Sequence, residues 1–223
     1  MQVFSLPAQP AGLIFDIDST LYKNTAYQRE QVDAQIRHFA RTRGLPFDQA
    51  LAMVEDARRR YAMQQRASAS GNEGKMQKSS LGNALTLLGV PVAESVRWRI
   101  ELTHPEDFLQ PDPELRQALE RLAARYPFCV LTNNPVEIGR RTLETLGVSD
   151  LFPRLIGLDT FFLSKPDRRL FLAAAEECGV PPERAVSVGD RFDVDIAVPL
   201  DLGMGGVLVN GVCGVYRLPD VLL

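Results

Sequence analysis

The 223-residue chain contains few cysteines, few histidines and no excess of basic residues. Its three cysteines, Cys129, Cys178 and Cys213, form no C-x-x-C pair, which argues against a zinc ribbon and a thioredoxin-like redox site. A sparse, odd number of cysteines is typical of proteins in a reducing compartment. Lys and Arg total 25 against 28 Asp and Glu, a net charge of −3, so binding to a nucleic-acid polymer is not indicated.

Long apolar segments are also missing. No apolar run approaches the roughly 18 residues that a membrane-spanning helix needs. Residues 1–10 contain neither a basic segment nor an apolar stretch, so we expect no signal peptide. With 45% hydrophobic and 24% charged residues, the composition is that of an ordinary globular protein. These features predict a cytoplasmic protein without a membrane partner, and they leave its oligomeric state open.

Short apolar segments without regular alternation recur along the chain, as expected for buried strands of a parallel sheet. Five such segments are residues 11–17, 128–131, 155–158, 185–188 and 206–209. Apolar residues at helical spacing predict helices at residues 114–125, 136–146 and 169–178. Strands that alternate with helices of this length predict a doubly wound, Rossmann-like α/β core with a parallel sheet.

Residues 24–106 interrupt this alternation because they contain no convincing strand. Amphipathic patterns predict helices at residues 28–43, 47–66, 76–88 and 92–102. Glycine and serine near residues 71–74 predict a loop within this block. The sequence therefore predicts two domains, an α/β core formed by residues 1–23 and 107–223 and an inserted, all-helical domain formed by residues 24–106.

Two aspartates, Asp16 and Asp18, stand two residues apart where the first apolar segment ends. In α/β sheets, ligands bind outside the carboxyl ends of the strands, so this is a candidate site. A strand that simply leaves the core into a polar turn is the plain alternative. A calcium-binding EF-hand loop is excluded, because Leu21 and Tyr27 stand where that pattern needs glycine and glutamate.

Three later segments are also followed by polar side chains. Thr132 and Asn133 follow the second segment, and Lys165 follows the third. An acidic group follows the fourth in the stretch that contains Asp190, Asp193 and Asp195. Four strand ends therefore bring carboxylates, a hydroxyl and a lysine to one edge of the predicted sheet.

These motifs resemble those of the haloacid dehalogenase-like (HAD) hydrolase superfamily over nearly the whole chain. Asp16, Asp18 and Thr20 match its D-x-D-x-[TV] motif. The superfamily's strand-end Ser or Thr, its lysine and its acidic cluster are matched by Thr132, by Lys165, and by Asp190 with Asp195. The helical block corresponds to the cap of that superfamily. The resemblance implies a magnesium-dependent phosphatase that acts through an aspartyl phosphate.

The resemblance also implies a role for each residue. Asp16 would be the nucleophile, and Asp16, Asp190 and the Asp18 carbonyl would bind Mg²⁺. Asp195 would lie behind these ligands and orient water molecules or Lys165. Phosphoryl oxygens would be bound by Lys165, by the Thr132 hydroxyl and by backbone N–H groups near Ile17 and Asn133.

Asp18 separates the branches of the superfamily, because an alkoxide leaving group needs a proton and a second aspartate can supply it. The dehalogenases lack an aspartate at this place, since a halide needs no proton, and the P-type ATPases carry threonine there. Asp18 therefore favours a phosphatase or a phosphomutase. A protein that binds a phosphorylated ligand without hydrolysing it, and serves in regulation, is the non-enzymatic alternative.

The substrate suggested by the resemblance is a small phosphorylated metabolite. The D-x-D-S-T-L-Y wording and the segment 131–133 look most like the pyrimidine 5′-nucleotidase branch, which implies a nucleoside 5′-monophosphate. Phosphoglycolate phosphatases, sugar-phosphate phosphatases and β-phosphomutase-like enzymes are the alternatives. Side chains that could contact the leaving group are those of Tyr22, Lys23, Arg29, Lys75 and Lys78.

Overall fold

The computed structural model describes residues 1–68 and 80–223, which divide into two compact units. The first unit contains Met1–Tyr27 and His104–Leu223, and the second contains Gln28–Thr103. Apolar side chains form separate interiors within the two units. The predicted loop at residues 71–74 and the first residues of the predicted helix 76–88 lie outside the described part of the chain.

The described residues of the second unit form helices and short turns. Its helices are α1 (Thr25–Arg43), α2 (Phe47–Ser68), α3 (Leu81–Leu87) and α4 (Val92–Leu102). Their apolar faces meet in an interior that includes Ile36, Phe39, Val54, Leu85 and Trp98. The Ser80 hydroxyl accepts the Asn83 N–H at 3.2 Å, which caps α3 at its first turn.

The first unit is built on a six-stranded sheet in the order β1-β6-β5-β2-β3-β4. The strands are β1 (Gln2–Ser5), β2 (Gly12–Phe15), β3 (Phe128–Leu131), β4 (Arg154–Ile156), β5 (Ala185–Gly189) and β6 (Gly205–Leu208). All neighbours are parallel except β1, which pairs antiparallel with β6. The predicted α/β fold with a parallel sheet is thereby confirmed.

Helices cover both faces of this sheet. They are α5 (Pro113–Ala123), α6 (Val136–Thr145), α7 (Leu158–Phe161), α8 (Arg168–Glu177), α9 (Ala197–Asp201), α10 (Val212–Tyr216) and α11 (Pro219–Leu222). Successive side chains of a strand point to opposite faces. Accordingly Leu13 and Phe15 lie in the interior that contains Leu115 of α5, whereas Ile14 lies in the one that contains Phe171 of α8.

Two details of the sheet differ from the prediction. The strand β1 was not predicted, because all four of its side chains are exposed and it contains no buried apolar segment. The predicted strand 155–158 ends early, at Ile156, since Gly157 leaves the sheet and α7 begins at Leu158. Among the described residues, no helix combines the length and the apolar character that crossing a membrane requires.

The strand order brings three carboxyl ends side by side. β2 lies between β3 and β5, with Ile14 opposite Cys129 on one side and Ser187 on the other. Because these strands are parallel, the residues that follow them emerge at one edge of the sheet. The buried strands thus fix the positions of the polar side chains that come next in the sequence.

Candidate active site

Lys165 connects two of the strand ends. Its Nζ donates to Asp16 Oδ1 at 2.6 Å and to Asp195 Oδ1 at 2.7 Å, and only 3% of its side chain is exposed. The other oxygen of Asp16 accepts the Thr20 hydroxyl at 3.0 Å. A buried ammonium needs such charged partners, because removing it from water unpaired would be strongly unfavourable.

Asp190 adds a third carboxylate beside this ion pair. Oxygens of Asp16, Asp190 and Asp195 lie within 4.8 Å of one another. We call these three aspartates and Lys165 the charged pocket. Three carboxylates outnumber the single lysine, so the pocket favours a further positive charge.

The electrostatics of the charged pocket follow from burial and crowding. Burial acts to raise the pKa of the Asp16 carboxyl, the Lys165 ammonium opposes this, and the neighbouring Asp195 and Asp18 carboxylates add to it. Burial also raises the pKa of Asp190 to about 6, and the Asp195 carboxylate adds to this. Burial acts to lower the pKa of Lys165, but the adjacent carboxylates outweigh it, and the pKa rises above its usual value.

Asp18 has different surroundings, although it is only two residues from Asp16. Its Oδ1 accepts a short hydrogen bond from the Tyr22 hydroxyl, and its Oδ2 accepts one from Asn134 Nδ2 at 2.8 Å. We call Tyr22 and Asn134 the neutral clamp, because both donors are uncharged. The two carboxylates of the first motif are therefore held by different chemistry.

The residues that follow β3 serve mainly to hold other residues. The Thr132 hydroxyl accepts the Asn134 N–H at 3.1 Å. The Asn133 side chain spans the Lys165 main chain, since its Oδ1 accepts the Lys165 N–H at 2.7 Å and its Nδ2 donates to the Lys165 carbonyl at 3.4 Å. Asn133 thus fixes the backbone from which the lysine reaches Asp16.

The turn after β5 fixes Asp195. The structure has a π-helical turn over Phe192–Ile196 before α9 begins. Pro199 has no N–H to give to the carbonyl four residues earlier, that of Asp195. That carbonyl instead accepts the buried Ser187 hydroxyl at 2.7 Å, while Asp195 Oδ2 accepts the Arg191 N–H at 3.1 Å.

The last residue of β5 lies against Asp195. A Cβ on Gly189 would lie 2.3 Å from the Asp195 Cβ, so only glycine fits there.

A family model described as haloacid dehalogenase-like hydrolase matches residues 10–203 of the chain. The chain belongs to the haloacid dehalogenase-like hydrolase family. Its predicted membership of that superfamily is confirmed, and the match includes both the sheet unit's site residues and the helical unit.

Curated relatives of this family member are named as phosphatases. Glyceraldehyde 3-phosphate phosphatase of Methanothermobacter thermautotrophicus is 26% identical over 203 residues, 89% of this chain and 85% of the relative. Phosphoglycolate phosphatase of Aquifex aeolicus is 34% identical over 96 residues, 43% of this chain and 45% of the relative. The predicted enzyme class, a phosphomonoester hydrolase, is thereby confirmed.

A solved structure supports the fold. The HAD phosphatase from Thermococcus onnurineus superposes with a TM-score of 0.62 at 22% identity, covering 95% of this chain and 97% of that one. At this identity the similarity concerns the fold alone.

The charged pocket suits the magnesium ion that haloacid dehalogenase-like hydrolases generally use. Carboxylate oxygens are the hard ligands that Mg²⁺ prefers. Both oxygens of Asp195 accept hydrogen bonds, from Lys165 and from the Arg191 N–H, and both oxygens of Asp16 do so too, from Lys165 and from the Thr20 hydroxyl. All three aspartates are therefore candidate side-chain ligands, and the hydrogen bond to Asp195 also orients Lys165.

Sequence reasoning missed three residues of this haloacid dehalogenase-like site, namely Tyr22 as a partner of Asp18, Asn134 and Ser187. The only available signal was position, since Tyr22 ends the D-x-D-S-T-L-Y stretch and Asn134 directly follows the segment 131–133. Of the side chains proposed to contact the leaving group, Lys23 donates to Asn210 Oδ1 at 3.2 Å, and Arg29 lies in the helical unit. Lys75 and Lys78 lie outside the described residues.

Proposed function

We propose that the chain hydrolyses the phosphate monoester of a small two- or three-carbon metabolite through an aspartyl phosphate on Asp16. The observation that carries this proposal is the ion pair of Lys165 with Asp16 and Asp195 beside Asp190. A buried lysine next to a carboxylate at a strand end provides positive charge where a phosphate dianion has to approach that carboxylate.

In the first proposed step, a carboxylate oxygen of Asp16 attacks phosphorus and the bond between phosphorus and the ester oxygen breaks. The departing alkoxide takes a proton from the Asp18 carboxyl and leaves as an alcohol. In the second step, the Asp18 carboxylate takes a proton from water, and the water oxygen attacks phosphorus. The Asp16 carboxylate is released together with inorganic phosphate, which restores the enzyme.

The remaining residues would bind the phosphoryl oxygens. Lys165 supplies a fixed charge, and the Thr132 hydroxyl and the N–H groups of Ile17 and Asn133 supply hydrogen bonds. Asp16, Asp190 and the Asp18 carbonyl would hold Mg²⁺, which when bound neutralises negative charge at the phosphoryl group. Asp195 keeps Lys165 in place.

The substrate proposal departs from the sequence-based prediction of a nucleoside 5′-monophosphate. The reported relatives are named for glyceraldehyde 3-phosphate and phosphoglycolate, which supports the sugar-phosphate and phosphoglycolate alternative instead. The relative named for glyceraldehyde 3-phosphate matches over 89% of this chain. We therefore place small acyclic phosphates first and nucleotides second.

A phosphate-release screen tests the proposal. The purified chain is incubated with glyceraldehyde 3-phosphate, phosphoglycolate, a hexose phosphate and pyrimidine nucleotides, each with Mg²⁺, with Ca²⁺ and with excess chelator. We expect the highest kcat/KM for a two- or three-carbon ester, dependence on Mg²⁺, and inhibition by Ca²⁺, which takes more oxygen ligands and would occupy both oxygens of Asp16.

Four results would contradict parts of the proposal. A preference for nucleotides would restore the nucleotidase prediction, and full activity in chelator would exclude the metal. Transfer of phosphate within a sugar without release would indicate a phosphomutase. Binding of the esters with no turnover under any condition would favour the regulatory alternative.

A further inference from the structure

We infer that Tyr22 and Asn134, the neutral clamp, are positioning residues that aim the Asp18 carboxyl at the leaving group. The inference rests on the proposed role of Asp18 as proton donor. Both oxygens of Asp18 accept hydrogen bonds, Oδ1 from Tyr22 and Oδ2 from Asn134. Two donors on two oxygens fix both the position and the plane of a carboxyl group, whereas one donor would allow it to rotate.

The orientation of the Asn134 amide follows from chemistry. The amide nitrogen faces Asp18, with Nδ2 2.8 Å from Oδ2, and this orientation suits the ionised carboxylate that takes a proton from water in the second proposed step, since an ionised carboxylate only accepts hydrogen bonds. Tyr22 offers a hydroxyl on a buried ring, which is 3% exposed and lies 5.5 Å from the Tyr27 ring. The ring therefore has little freedom to turn away from Asp18.

Asn134 is anchored by its main chain on both sides. Its N–H donates to the Thr132 hydroxyl at 3.1 Å, and its carbonyl accepts the Leu158 N–H at 2.9 Å. The approach is close because Gly157 lacks a side chain: a Cβ there would lie 2.8 Å from the Asn134 carbonyl oxygen and 2.6 Å from the Val136 nitrogen. The loop after β3 is thus held against the loop after β4, which leaves the Asn134 side chain a defined place.

The site gives the neutral clamp a task that is separate from phosphate binding. Lys165 contacts Asp16 and Asp195 in the charged pocket, and Asn133 holds the Lys165 main chain, whereas Tyr22 and Asn134 contact Asp18. Removing the neutral clamp should therefore spare attack by Asp16 and impair proton delivery. Misplacing a reacting group by about 1 Å is enough to lower a rate by roughly 10²-fold.

The experiment compares esters whose leaving groups differ in their need for a proton. kcat/KM is measured for an alkyl ester, glyceraldehyde 3-phosphate, and for an aryl ester, p-nitrophenyl phosphate, whose phenolate leaves without one. This constant reports the steps up to departure of the first product, so the later attack by water does not obscure it. The variants are Asn134→Ala, Tyr22→Phe and Asp18→Asn, with Tyr27→Phe as the matched control.

We expect Asn134→Ala and Tyr22→Phe each to lower kcat/KM for the alkyl ester by roughly 10–10²-fold and for the aryl ester by less than about 3-fold. KM for the alkyl ester should change little, since binding contacts remain. Tyr27→Phe removes a hydroxyl from the neighbouring buried ring, where it lies 3.5 Å from Thr142 Oγ1, and should leave the ratio between the two esters unchanged.

A double variant tests whether Tyr22 acts through Asp18. In an Asp18→Asn background, Tyr22→Phe should add no further selective loss, because the group it aims is already gone. Equal losses for both esters, or an additive loss in the double variant, would overturn the inference. If Asp18→Asn itself lowers kcat/KM equally for both esters, Asp18 is not the proton donor and the proposed function is wrong at that point. If Asp18→Asn is selective for the alkyl ester but Asn134→Ala and Tyr22→Phe are not, only the inference about the neutral clamp is wrong. Tyr22→Phe keeps the buried ring and should fold, so it tests the inference even if Asn134→Ala does not fold.

Discussion

Asp16 and Asp18 stand two residues apart in the first motif, yet the charged pocket and the neutral clamp hold them differently. Asp16 contacts a buried ammonium and lies beside further carboxylates, whereas Asp18 contacts a phenol and an amide. A carboxylate bound by a cation in a crowded acidic site suits attack on phosphorus, with charge neutralised around it. A carboxylate held by neutral donors suits an acid or base whose direction matters more than its charge. The two environments thus suit the two neighbouring aspartates to different chemical roles.

The largest expected effect belongs to the charged pocket. Asp16→Asn keeps the shape of the side chain but removes the nucleophile, so phosphate release should fall by several powers of ten for every ester. The measurement is steady-state phosphate release with the variant's thermal unfolding checked in parallel. Asp193→Asn is the matched control, because the Asp193 side chain is 44% exposed and pairs only with Arg191 in the described contacts, and the variant should stay near full activity. Residual activity above about a tenth would contradict covalent catalysis at Asp16.

The second largest effect is expected for Lys165→Met, which should lower kcat/KM by about 10³-fold, equally for alkyl and aryl esters. Positive charge beside the phosphoryl group counts for every substrate, whatever its leaving group. The variant also leaves Asp16 and Asp195 buried without their partner, so the free energy of unfolding should fall by about 3 kcal/mol. Kinetics on three unrelated esters and urea denaturation measure the two effects. An ester that is spared would show that Lys165 does not belong to the common phosphate site.

Asp18→Asn should produce a selective loss instead, about 10²-fold for the alkyl ester and much less for the aryl ester. The contrast with Lys165→Met is the sharpest test of the comparison, since one substitution removes the proton donor and the other removes the fixed positive charge from the same site. A plot of kcat/KM against the pKa of the leaving group, made for each variant, measures this contrast as a difference in slope. Parallel slopes in the two variants would mean that the aspartates and the lysine act as one unit rather than two.

The smallest expected effect comes from Gly157→Ala, which touches the neutral clamp only through the backbone. The new methyl group would meet the Val136 nitrogen and the Asn134 carbonyl, so the loop after β3 must shift, at about 1–3 kcal/mol of stability. Alkyl-ester turnover should fall about tenfold, or less, as Asn134 moves. Gly82→Ala is the control, since a methyl there meets nothing nearer than 3.9 Å. Wild-type kinetics in a destabilised Gly157→Ala variant would show that this backbone approach supports stability alone.

The sequence predicted those parts of the fold and site that depend on local pattern. Buried strands such as β2 and β5 are visible in the sequence as apolar runs. Asp16 directly follows β2, Asp190 directly follows β5, and Asp18 comes two residues after Asp16. β1 could not be found this way, because an exposed edge strand has no buried run and owes its existence to pairing with β6.

The missed site residues depend on contacts that local pattern does not record. Asn134 meets Asp18 across 116 residues of chain, and which of two adjacent asparagines does so is decided by the turn of the backbone after β3. The pairing of Ser187 with the Asp195 carbonyl depends on a proline four residues further on, which frees that carbonyl. Only the folded chain brings these groups together.

The ion pair between Asp16 and Lys165 joins residues that are 149 positions apart, with the whole helical unit between them. During synthesis, Asp16 leaves the ribosome long before Lys165 exists, and Asp195 follows later still. A chain that stops short of Asp195 therefore cannot complete the charged pocket, however well its early helices have folded. Contacts of such sequence separation slow folding, because the entropy of closing a long loop is lost before the contact rewards it. For this protein, activity can appear only after these distant segments have met.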